Sequence, residues 1–114
     1  MKRSAGVSPS TPMSVRKRRL VVTPLAQAHL RAIRRYTVRQ WELRRYTAYR
    51  ATLTAAMERL TEFPALGAAA SHVAPGVHAF PVEQHVIYYR FSDEDVHVVG
   101  IPQSRMDAAT QLGA

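Results

Sequence analysis

The sequence predicts an α+β fold, with a helical hairpin packed on a small antiparallel-rich sheet in the order β-α-α-β-β-β. Three observations carry that prediction. Two consecutive stretches repeat their apolar residues at helical spacing, between Ala26 and Trp41 and between Tyr46 and Phe63. Three short β-prone runs then follow in the last forty residues or so, separated by turn-forming residues. One more β-branched run precedes the first helix, and such a mixture closes best as helices covering one face of a sheet.

Taken in order, Arg19-Leu20-Val21-Val22-Thr23 reads as a strand that stops at Thr23-Pro24. The same dipeptide opens a helix, since Thr23 can cap a free N–H and Pro24 suits the first helical position, where a missing N–H costs nothing. Ala26, Leu30, Ile33, Thr37 and Trp41 then form one stripe for burial. Trp41 is expected to anchor packing at the turn. Tyr46, Tyr49, Leu53, Ala56, Leu60 and Phe63 form the matching seam of a second helix, so the two pair as a hairpin joined near Gln40–Arg44. Phe63-Pro64 ends that helix, because a residue before proline is pushed out of the helical region. A Gly/Ala/Ser stretch, Ala65 to Ala74, leads to the turn Pro75-Gly76. Strands follow at Val77–Val82, His85–Phe91 and Val96–Ile101, the last two joined by the polar turn Ser92-Asp93-Glu94-Asp95. Along the middle strand His85, Ile87, Tyr89 and Phe91 point one way, and Val86, Tyr88 and Arg90 the other. Pro102 cannot donate to a ladder and marks an edge or a bulge. Arg105 to Ala114 carries too little pattern to assign.

The 114-residue length suits one domain. Residues 1–17 form a basic tail rich in Ser, Thr and Pro, expected to be disordered, and Met13 offers an alternative start. The folding unit is expected over 18–112. Without cysteine there are no disulfides or thiolate metal sites. No apolar run approaches the roughly 20 residues of a membrane span, and no signal segment is visible. A reducing cytoplasm, no membrane association and no cofactor or metal are therefore expected. Net charge is +8, but the halves differ: residues 1–19 carry +6, residues 20–63 carry +5, and the remainder −3. A field of that shape attracts polyanions, either nucleic acid or an acidic protein. The arginines of the first helix fall off its apolar stripe, which fits either a solvated face or a polyanion surface. Arg34, Arg35, Arg44 and Arg45 cluster around the inter-helix turn.

The run Leu20-x-x-Thr23-Pro24-x-Ala26-x-x-x-Leu30-x-x-Ile33-x-x-Tyr36-Thr37 resembles the opening of ParE-type toxins in the RelE/ParE, or plasmid stabilisation, superfamily. Gly76-Val77-x-x-Phe80-Pro81-Val82-x-x-His85-Val86-Ile87-Tyr88-Tyr89-Arg90 is similar to that family's central hairpin, and Arg105-Met106-Asp107 to its C-terminal signature. The resemblance implies a type II toxin neutralised by a cognate acidic, ParD-like antitoxin. It implies DNA gyrase as the target, inhibited by binding; the alternative within the superfamily is ribosome-dependent cleavage of messenger RNA. Direct contact with nucleic acid is compatible with either.

Cleaving RNA needs a base for the 2′-OH, an acid for the leaving 5′-oxygen and cations around the phosphorane. His78, His85, His97, Arg90, Arg105, Tyr88 and Tyr89 are of suitable type, yet strand alternation divides them. The sequence also departs from the family pattern, with Gly100 where an Arg is usual, Gln103 where a His is usual, and Ala68-Ala69-Ala70 where a basic residue follows the glycine. Gln cannot act as a general base. The residues thus favour a binding protein over an enzyme, assign no catalytic residue, and leave open a copy that binds without toxicity. Candidate contacts to target or antitoxin are Arg90, Arg105, Arg34, Arg35, Arg44, Arg45 and Tyr88.

Overall fold

The computed structural model describes residues 17–40 and 42–112. The expected tail up to residue 16, and the packing role expected of Trp41, lie outside the described residues. Strand β1 (Arg19–Val22) leads into helix α1 (Pro24–Gln40), and α2 (Leu43–Glu62) returns antiparallel to it. A single 3-10 turn at Pro64–Leu66 precedes β2 (Ala68–Ala69), β3 (His78–Val82), β4 (His85–Phe91), β5 (Asp95–Gly100) and a short α3 (Ala108–Gln111). The sheet has five strands in the order β1-β5-β4-β3-β2. Among the described residues β1–β5 is the one parallel pair, with Arg19 opposite Asp95 and Val22 opposite Val98; the other pairs are antiparallel.

Thr23 links sheet to helix. Its hydroxyl accepts from the Ala26 N–H at 3.3 Å, capping α1, and donates to the Val98 carbonyl at 2.9 Å. One side chain thereby fixes where the strand ends and at what point on the sheet the helix starts. The α1 stripe is buried as expected at Ala26, Leu30, Ile33 and Thr37. On α2 the buried positions are Leu53, Met57, Leu60 and Thr61, while Phe63 stands 42% exposed beneath the Arg59 guanidinium. The expected seam therefore leaves the core at its end, where Phe63, ahead of Pro64, has already left the helix with φ −134° and ψ 72°. Both helices lie against one face of the sheet, where Val82, Ile87, Tyr89, Val96 and Val98 complete the core.

Two elements were not visible in the sequence as strand or helix. β2 is a pair of alanines, poor strand formers on their own, held by pairing to β3 and by the neighbouring Tyr89 hydroxyl. α3 owes its start to Asp107, whose carboxylate accepts from the Ala109 N–H at 3.2 Å and the Thr110 hydroxyl at 2.9 Å. Pro102 lies just past β5, beyond Val98, which faces the last residue of β1, so β1 does not reach its position on that side. Its carbonyl accepts from Val86 N–H at 3.0 Å, and a register shift in the β4–β5 ladder falls between Tyr88 and Tyr89.

Candidate functional site: a groove beside the helical hairpin

α1 and α2 leave a groove of about 500 Å³ between themselves, the β3–β4 turn and the segment that follows β5. Ile33 and Tyr36 of α1, Arg45 and Tyr49 of α2, His85 of β4, and Gln103 line it. The turn residue Glu83 takes a left-handed conformation (φ 52°), which lets β3 reverse into β4 in two residues and builds the groove's wall. Met106, 46% exposed, stands opposite.

At the back of the groove the Tyr49 hydroxyl lies 2.6 Å from His85 Nδ1 and 3.1 Å from the Val82 carbonyl oxygen. Burial pushes the Tyr49 phenol up from its ordinary value, helped by the nearby Glu83 carboxylate. Burial also pushes His85 down, and the neighbouring His29 adds to the shift. His29 is lowered by burial in turn, and its Nδ1 accepts the Ile101 N–H at 2.9 Å, so the neutral ring carries its proton on Nε2. The two histidines thus enter the groove wall as neutral hydrogen-bonding groups. Gln103 bridges to His85 through the backbone, and its side-chain oxygen is buried with no hydrogen-bond partner among the described residues.

The other candidates lie elsewhere. Tyr88 and Arg90 sit on the sheet face turned away from the helices, where Arg90 is directly opposite His97. The Arg90 guanidinium is engaged with the Pro75 carbonyl, through Nε at 3.2 Å and Nη2 at 3.0 Å. It therefore does not take an aspartate of the neighbouring turn; Asp95 is held instead by Arg19 at 2.8 Å. Arg105 is exposed in the turn between Gln103 and α3. Of the hairpin arginines, Arg45 lines the groove, Arg34 stacks 5.7 Å from the Tyr46 ring centre, Arg44 is loosely paired with Glu42 at 3.5 Å, and Arg35 is exposed. The structure thus separates two locales that the sequence treated as one list: the helical hairpin with its groove, and the open sheet face. Tyr49 and His29 were missed as site residues. A signal was present only for His29, a polar group beside the apolar stripe of α1; Tyr49 lies on the seam of α2 and reads as a packing residue.

A family model described as the ParE toxin of the type II toxin-antitoxin system, parDE, matches residues 20–108. The chain belongs to the ParE toxin family. A Mycobacterium tuberculosis protein named Toxin ParE1 is 30% identical over 95 residues, covering 82% of this chain and 97% of that one. Toxin ParE3 of Caulobacter vibrioides is 42% identical over a shorter stretch, covering 48% of this chain and 55% of that one. A solved structure described as the chromosomal ParDE TA system from P. aeruginosa shares the fold at a TM-score of 0.67 and 19% identity, over 76% of this chain and 96% of that one. Against the ParE pattern, the absence of a side chain at Gly100 has a structural counterpart here: a Cβ built at that position would meet Leu112 and approach His29. The space that a longer residue would take is filled by the C-terminal segment.

Proposed function

We propose that this ParE-family protein is the toxin of a type II pair, held inactive by an acidic ParD-like antitoxin, and that it acts by gripping DNA gyrase without a bond-breaking centre of its own. The observation that carries the binding reading is the separation of the ionisable side chains. His85 is buried on the helix-facing side of β4 and occupied by Tyr49, whereas Arg90 and His97 are on the opposite face. A proton-transfer pair and a phosphate-stabilising cation must meet at one phosphate. The groove offers an antitoxin helix exposed apolar surface at Tyr36 and Met106 over a floor of Ile33, Ile101 and Pro102, with Arg45 adding positive charge at its edge.

One observation favours the nuclease alternative: Tyr88, Arg90 and His97 share the open sheet face. Adding the purified full chain to a gyrase supercoiling reaction and to translating ribosomes separates the two. Cleaved linear DNA with intact message supports the gyrase reading; message cut in the ribosomal A site with normal supercoiling overturns it.

A further inference from the structure

The face of α1 opposite the core carries Arg31, Arg35 and Arg39, with Arg34 on its flank against Tyr46; all four are exposed, and α1 contains no carboxylate. From Pro24 to Met57 the chain has seven arginines against a single acid, Glu42. Arg31, Arg35 and Arg39 recur every four residues, about 6 Å apart along the axis. Like charges at that spacing disfavour a helix, where a face shaped only by solvation would alternate them with Glu. Among the described residues no carboxylate pairs with any of the four. Among the described residues no ion pair compensates the repulsion, which is the condition a bound polyanion would relieve.

We propose that this arginine face is a docking surface for the phosphodiester backbone of duplex DNA. The proposal deepens the gyrase reading and rests on it for the choice of DNA: while one surface grips the enzyme, the hairpin would lie on the duplex that the enzyme holds. Guanidinium forks match phosphate oxygens in pairs. The face carries no stacking platform for unpaired bases, since Tyr36 belongs to the groove side of α1 and Tyr46 is covered by Arg34. Contact should accordingly be with backbone, independent of sequence.

The test is fluorescence anisotropy of the full chain on a labelled DNA duplex, without gyrase, across a salt series. Three phosphate contacts, from Arg31, Arg35 and Arg39, predict a slope of log affinity on log salt of about −2.7, so raising salt from about 50 to 200 mM weakens binding by about 40-fold. Replacing two residues, Arg31→Gln with Arg35→Gln, should flatten the slope by about two units, while Arg59→Gln at the far end of α2 and Lys2→Gln with Arg3→Gln in the tail leave it unchanged. Circular dichroism checks that the hairpin variant keeps its helix, which loss of like-charge repulsion should if anything favour. No duplex binding in low salt, a slope carried by the tail variant, or retention only of single-stranded RNA or an acidic peptide overturns the proposal. Gyrase poisoning is scored separately, so a hairpin variant that still poisons gyrase refutes the DNA contact without touching the target assignment.

Discussion

Removing one oxygen atom from Tyr89 should be among the most damaging conservative changes in this protein. Its ring is fully buried between the sheet and the helices, and its hydroxyl donates to the Pro64 carbonyl at 2.6 Å while accepting from the Gly67 N–H at 2.9 Å. That hydroxyl is what holds the connection after α2 against the sheet and places β2 at its edge. Tyr89→Phe keeps the ring and its packing beside His78 and Phe91 but strands a buried carbonyl and a buried N–H. Each costs about 1–3 kcal/mol when left unpaired. Water cannot easily substitute: a Cβ at Gly67 would fall within 2.5 Å of that oxygen and 2.8 Å of the Ala79 carbonyl, so the pocket has no slack. The expected loss is about 2–4 kcal/mol, large against the 5–15 kcal/mol total typical of such domains. Urea titration should show a lower midpoint at unchanged slope, and thermal melting a fall of about 10 °C or more. Tyr88→Phe is the control, since that hydroxyl makes no hydrogen bond among the described residues and its ring faces the other side of the sheet. If Tyr89→Phe costs no more than Tyr88→Phe, the hydroxyl is not what secures the loop.

Two further perturbations test the groove. His29 and His85 both hold protons less readily folded than unfolded, so the unfolded chain takes up more protons as pH drops below about 6.5. Stability is fully present above that pH, falls as pH decreases through it, and flattens once the depressed folded values are passed; urea midpoints between pH 8 and 4.5 should show this fall, and His85→Gln should reduce it. Gly100→Arg restores the residue usual in the family but drives a side chain into Leu112 and His29. It should displace the C-terminal segment, read as faster amide exchange over α3 and a destabilisation of about 1–3 kcal/mol; a variant as stable as the parent with α3 still protected would refute the packing argument.

Much of the architecture was legible because local and long-range signals agree. Thr23-Pro24 ends a strand and begins a helix by its own chemistry, and the structure uses the threonine hydroxyl for both tasks. Strand alternation correctly divided β4, putting His85, Ile87 and Tyr89 inside. What was not legible depends on tertiary contact. β2 has no strand signal of its own and exists because β3 offers an edge and Tyr89 a hydroxyl. The Tyr49–His85 pair could not be read, since each residue taken alone looks like a packing residue or a surface histidine; only the crossing of α2 over β4 makes them partners.

The arginine cluster is where sequence reasoning went least far, and the reason is geometric. Arg34, Arg35, Arg44 and Arg45 are neighbours in sequence across a tight turn, so they read as one patch. On a helix, consecutive residues are turned about 100° from each other and point to different surroundings. Arg34 therefore covers Tyr46 while Arg45 borders the groove, and Arg31, Arg35 and Arg39, spread over nine residues, share the outer side of α1. A charge count over a window finds the first grouping and misses the second. The helical period separates the two groups: one arginine on the rim of the groove, and a row on the outer side of α1 that no carboxylate among the described residues pairs with.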